Sequence, residues 1–357
     1  MACGTLLCGF VGSNGMQTLG IRKASPCYGA GVCHLGSGSV GRFLHHCYPC
    51  RSPSRPLALK PMGGCGGRRA TGMTLHFCNA RKKGEAPGQK LAAEEGGTQM
   101  ATRAQQAALW TAEAAYILWL FLLPYAPGDP VWAISPGTVS DLVGLSLNFF
   151  FILPILNSVG IHAMEAPVLH PMSEGLFNFV LGWTFMFAPL LFTDCRRDRY
   201  KGSLDILWGL QMFLTNTFLI PYMAIRLNNI DDCYSPKKPS QFVSLMTGGA
   251  PVVGIIGGAV CLFSILWAVH GRADGGFGGL TDRLEFLGRY LGSERLAYAF
   301  VWDIILYAIF QPWLIGDNLQ NVEESTLGVV RSLRFIPVVG LIAYLLCLKD
   351  GKKFHSV

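Results

Sequence analysis

Asp303 stands inside an apolar run, Phe300-Val-Trp-Asp-Ile-Ile-Leu-Tyr-Ala-Ile-Phe-Gln311. On a helix Tyr307 follows it by four residues and Gln311 by eight, so a carboxyl, a phenol and an amide share one face. Such a row can bind a polar head group or pass a proton. An ionisable group in an apolar span costs about 2.5–3.5 kcal/mol on insertion scales and is a functional candidate by default. The competing use is structural, an ion pair from Asp303 to Arg331 or Arg334 that locks neighbouring helices together.

A second constellation is His162-Ala-Met-Glu165 followed by His170-Pro-Met-Ser-Glu174. His and Glu three or four residues apart present two metal ligands on one helical face, the chemistry of di-iron carboxylate sites. Those sites draw on four long helices, whereas here Pro167 and Pro171 interrupt a short loop. The plainer reading makes Ser173 and Glu174 the start of a helix, with the acid at its positive dipole end. Asn178, Gln211 and Asn216 read as interhelical hydrogen-bonding groups. Arg226 reads as a charged helix end that reaches out to water. Gly254-Ile-Ile-Gly257-Gly258 contains a GxxxG, which lets two backbones approach, either within the chain or between two copies. An Asn148-x5-Pro154 pattern and an Asn216-x4-Pro221 pattern faintly echo each other. No nucleophile-elbow, zinc-protease, phosphate-loop or dinucleotide fingerprint is present, and the sequence leaves the cofactor unknown.

What must position these residues follows from composition. Only 14% of the 357 residues are charged and 51% are apolar. Ordinary soluble domains carry about 25% charged residues. Seven stretches approach the roughly 20 apolar residues that a helix needs to cross a bilayer. They are 108–125, 139–160, 175–193, 204–225, 249–269, 296–315 and 327–348. The first is short and carries Glu113, and the last carries Arg331 and Arg334. The expected fold class is all-α, a polytopic transmembrane bundle of six or seven helices, kinked at Pro154, Pro189, Pro221, Pro312 and Pro337. Residues 280–291 form an amphipathic surface helix. The bilayer is the first expected partner. Another membrane protein or a second copy meeting at Gly254 and Gly258 would come next.

The N-terminal region differs. Residues 1–84 hold eleven Lys and Arg and no acid, and eight of the 12 cysteines precede residue 80. Acid-poor, Ser- and Arg-bearing composition without hydrophobic period matches an organelle transit peptide, and the Met-Ala start favours a plastid. We therefore expect a cleavable leader over 1–80, a flexible lead-in over 81–107, a helical membrane domain over 108–348 and a basic tail over 349–357. A lone Cys47-Tyr-Pro-Cys50 falls in the leader. The net charge of +7 is concentrated there, so nucleic acid is not an expected partner. Basic loops at 194–201 and 270–295 and the tail (Lys349, Lys352, Lys353) are expected on one side, the stroma, with the His162 loop opposite. If the first stretch crosses, the mature N-terminus lies opposite the tail.

Residues 298–314, Tyr-Ala-Phe-Val-Trp-Asp-Ile-Ile-Leu-Tyr-Ala-Ile-Phe-Gln-Pro-Trp-Leu, resemble part of a family of uncharacterised small multi-pass membrane proteins of plastids and cyanobacteria. That resemblance implies a thylakoid or inner-envelope location and carries no catalytic residues. The expected function is non-enzymatic, assisting photosynthetic membrane assembly or handling a small lipophilic or ionic ligand. The rivals are a membrane enzyme acting on a carotenoid, quinone or chlorophyll precursor, and a secondary transporter.

Overall fold

The computed structural model describes residues 87–229 and 240–349. The expected leader, its CxxC and nearly all of the basic tail lie outside the described residues. The described chain is all-helical, with twelve α-helices and a single isolated β-bridge between Val322 and Leu348. Three helices are long and apolar enough to cross a membrane. We number them with the rest as α1 (Pro87–Ile117), α2 (Pro136–Leu147), α3 (Ile152–Ser158), α4 (Pro171–Phe192), α5 (Leu204–Leu214), α6 (Asn216–Ile225), α7 (Gln241–Gly248), α8 (Ala250–His270), α9 (Leu280–Ser293), α10 (Arg295–Asp317), α11 (Leu327–Leu333) and α12 (Val339–Leu346). The three are α4, α8 and α10.

Helix α1 begins at Pro87, so most of the expected flexible lead-in is helical. Its run of Ala, Gln, Glu and Leu explains this, since these are the strongest helix formers. The helix ends in a π-helical turn over Leu118–Leu122. The carbonyls of Leu120, Leu123, Ala126 and Gly128 beyond it are gathered by the Arg295 guanidinium.

Helices α4 and α8 pack antiparallel through glycine. A Cβ on Gly175 would meet the Ser264 carbonyl and Ala268, and one on Gly182 would meet Cys261 and the Gly257 carbonyl. Without those Cβ atoms the backbones lie close enough for the side chains around them to interlock. The GxxxG glycines are used within the chain: Gly254 faces Leu345 and Gly258 faces Ile342, both on α12.

The larger departure from expectation is that two of the seven apolar stretches, 204–225 and 327–348, turn back on themselves and a third, 139–160, is broken. Arg199, just after α4, donates to the Arg226 carbonyl at 2.8 Å, although residues 204–225 lie between. A continuous helix over that stretch would be ~33 Å long. The five-residue link from 199 to 204 reaches at most ~18 Å. The chain instead goes in along α5, where Trp208 bonds the Thr184 carbonyl on α4. It reverses at Thr215 (φ 36°) and returns along α6 to Asp194.

The α11–α12 pair is a second such hairpin. It starts after Asn321 and ends where Lys349 N–H bonds the Asn321 carbonyl, with its turn at Val338 (φ 63°) seated on Gln311. The α2–α3 pair differs: it bends by only 41° over Phe150 and Phe151, both at positive φ, and the chain comes back through the loop that follows α3. It starts with Thr138 bonded to Glu294 and ends with Pro167 beside Asn148 and Arg272, all at the other end of the bundle.

Positive φ costs a non-glycine residue about 1–3 kcal/mol. Each hairpin concentrates that cost at its turn. Prolines 189 and 312 sit inside continuous helices rather than at breaks. The Pro154 ring opposes the carbonyl four residues back, at Phe150, where the α2–α3 break lies.

These reversals change the expected sides. The 194–201 loop and Lys349 share one end of the bundle, which we call the Asp194 end, while the 270–295 loop lies at the opposite, Glu174 end. Gln106 on α1 bonds Ala224 and Asn228, so this part of α1 lies with the tail.

Candidate functional site

Asp303, Tyr307 and Gln311 do occupy one face of α10, and all three are buried. Among the described residues no arginine pairs with Asp303. Its Oδ1 atom instead accepts from Thr215 Oγ1 at 2.6 Å, Asn216 Nδ2 at 2.7 Å and Tyr116 Oη at 3.1 Å. Two of these donors sit at the turn of the α5–α6 hairpin. The carboxylate thus faces the N-terminal, positive end of α6, a placement that favours the anion. All three bonds fall on one oxygen. Oδ2 has no hydrogen bond of its own among the described residues.

Tyr307 shares a 2.7 Å hydrogen bond with Thr184 on α4. Gln311 accepts from Trp183 Nε1 and from Val338 N–H, and it donates to the carbonyls of Arg334 and Ile336. Gln311 therefore serves the backbone groups freed where α11 breaks from α12, a structural task. Arg331 and Arg334, the expected partners of Asp303, lie on α11 and just after it, and Arg334 stacks on Phe335 instead.

Around the α5–α6 turn polar groups are left over. Nine buried side-chain atoms lack a well-formed hydrogen bond among the described residues. Four of them belong to this hairpin: Gln211 Nε2 and Oε1, Asn216 Oδ1 and Thr217 Oγ1. A fifth is Glu113 Oε2 on α1, which covers the hairpin. Native interiors leave few such atoms, so a cluster of them calls for a reason.

The expected metal set is not assembled. Glu174, itself fully buried, forms an ion pair with the partly exposed Arg272 at 2.8 Å and accepts further bonds from Trp267 and Asn148. His170 caps α4 by accepting the Met172 N–H on Nδ1, and its ring stacks 3.5 Å from that of Phe286. Burial and the Arg283 charge push His170 down to about 4. His162 and Glu165 stay exposed. Among the described residues no three His, Cys, Asp or Glu are grouped to hold a metal ion.

Sequence reasoning also missed a polar lock at the Asp194 end. Arg226 does not reach out to water. It is fully buried and grips Asp194 with two bonds of 2.8 Å, and it bonds Asp317 at 2.9 Å. Tyr222 and Asn318 complete the shell around Asp194. Burial pushes the Asp194 carboxyl up, but the Arg226 bonds and charge, with Tyr222 and Asn318, outweigh it and hold the group below its usual 3.8. The acid in Asp194-Cys-Arg-Arg was the available signal, since an Asp directly after an apolar span needs a partner.

Comparison with known proteins finds no matching family model, no similar curated protein and no similar solved structure.

Proposed function

We propose that this chain is a multi-pass plastid membrane protein, non-enzymatic, that handles a small ionic ligand at Asp303. The observation that carries the reading is a fully enclosed carboxylate with no cation beside it, ringed by donors at the turn of a broken helix. Half-helices whose ends meet a polar site are a recurring device of membrane transport proteins. The surface agrees with a lipid setting. Val252, Ile255, Leu262, Ile265 and Leu266 of α8 and Ile309 of α10 are exposed, while Asn178, Gln211, Asn216 and Asp303 are buried.

In this reading α4, α8 and α10 cross, α1 with its apolar Leu118–Leu122 turn makes the fourth crossing, the α5–α6 and α11–α12 hairpins enter and leave on one side each, and the bent α2–α3 pair begins and ends at the Glu174 end. The expected six or seven crossings thus become four. The Asp194 end holds Arg196, Arg197, Arg199, Lys201 and Lys349, and the positive-inside rule makes it the stroma. The C-terminus is then stromal, and the His162 loop lies opposite.

Two experiments test this. Single cysteines placed at Lys201 and Asn229 are expected to be labelled from the same side of intact membranes. Labelling from opposite sides would return 204–225 to a simple crossing. In a null mutant, pigment and quinone profiles are expected to show no single accumulated precursor. One accumulated precursor would make the enzyme reading the better one.

A further inference from the structure

The ion can be named. Resting on the reading above, we propose that the ligand is the proton, and that Glu113 and Asp303 exchange it along the seam between α1 and α6. Glu113 lies on α1 one helical turn before Tyr116, on the same face, and Tyr116 holds Asp303. Thr217 lies seven residues, two turns, before Ala224, on the face of α6 that Gln106 of α1 touches. The seam thus carries Gln106 and Asn228 at its stromal mouth, then Glu113 and Thr217, then Tyr116, Asn216 and Asp303.

Glu113 is only 6% exposed and its Oε2 has no partner, while Asn216 and Gln211 are wholly buried with unpartnered amide oxygens. A cation binder would use such oxygens as ligands. Here, however, the site abuts the positive end of α6, which disfavours a metal cation. A proton suffers less, because it arrives as a covalent O–H that leaves the carboxyl neutral. Hydroxyls at Tyr116 and Thr217 both accept and donate, the requirement for relaying a proton between two acids. In each transfer the O–H bond of Glu113 breaks and an O–H bond to Asp303 forms, or the reverse. One unit of charge moves and nothing is oxidised or reduced.

The geometry also gives the relay a direction. It opens at the stromal mouth beside Gln106 and Asn228. Beyond Asp303, toward the opposite face, the apolar Phe300 and Phe177 rings pack 5.8 Å apart. The relay is therefore loaded from the stroma, and each proton passes on to the other side when the α5–α6 turn shifts.

The test uses the full mature chain in vesicles with a pH-reporting dye inside and an imposed potassium diffusion potential. Wild-type protein is expected to take up protons, and the uptake falls to that of empty vesicles in Glu113→Gln and Asp303→Asn. Asp303→Glu is expected to restore part of it, and Tyr116→Phe to slow it. Independently, a hydrophobic carbodiimide is expected to modify Glu113 of the wild-type protein, seen by mass spectrometry. The proposal fails if wild-type uptake equals that of empty vesicles, if Glu113→Gln takes up protons like wild type, or if Glu113 stays unmodified. Where the protein resists alkaline carbonate yet any of these holds, the relay falls and the membrane reading stands. Release into the carbonate supernatant would sink both.

Discussion

Asp194 and Asp303 are both buried carboxylates, and they are solved in opposite ways. Asp194 meets a bidentate arginine, a phenol and an amide, and both of its oxygens are satisfied. Asp303 meets only neutral donors, all on one oxygen, beside the unpartnered Asn216 Oδ1 and Gln211 amide atoms. A satisfied charged network fixes a structure, and a partly satisfied one costs stability. The chain keeps both, one just past α4 and one inside α10 that packs against it, and so sets a fully satisfied carboxylate beside a partly satisfied one.

The largest expected effect comes from breaking the fastening. Arg226→Ala leaves Asp194 buried without its partner and is expected to lower stability by about 3–5 kcal/mol. Detergent-titrated unfolding of the purified protein measures it, and a loss below about 1 kcal/mol would erase the contrast with Asp303. Arg272→Ala at Glu174 comes next, with about 2–4 kcal/mol, because Arg272 is partly exposed while Glu174 is not.

Acid offers a third way in. Asp194 has its carboxyl depressed in the fold, so it contributes stability above pH 3.8 that disappears as pH falls through its lower folded value. His170 is depressed too, to about 4, so its neutral ring destabilises nothing above pH 6.5 but disfavours the fold progressively between 6.5 and 4. Melting curves are expected to decline over that upper window, and His170→Phe is expected to flatten the decline while keeping the stack on Phe286.

The smallest effect is expected at Asp303. Asp303→Asn retains an acceptor for Thr215, Asn216 and Tyr116 and strands no buried cation, so stability is expected to change by less than about 1 kcal/mol. A large loss there would make Asp303 a fastening like Asp194.

Much of this was readable in advance. The residues Asp303, Tyr307 and Gln311 share a helical face because their spacing dictates it. The apolar helices α4, α8 and α10 were visible as unbroken runs. The hairpins were not, because a window of hydropathy counts residues and does not register direction. The Thr215-Asn216-Thr217 triplet in the middle of residues 204–225 was the local sign of a turn, and the Asn216-Pro221 spacing hid it as a kink. The echo with Asn148 gains physical content. Each Asn stands at a helix break and donates to a buried acid, Glu174 in one case and Asp303 in the other. The arginine pairings could not be assigned, since Arg226 finds Asp194 across 32 residues only once the hairpin has folded back.

That folding back bears on how the protein is made. The turn residues Thr215 and Asn216 leave the ribosome long before Asp303, which completes their hydrogen bonds. Until α10 is synthesised, the α5–α6 hairpin lacks the Asp303 acceptor at its tip, and it must wait at the Asp194 end or be held by a chaperone. Chains truncated ahead of residue 295 should therefore be degraded quickly, even though they retain two of the three longest apolar helices.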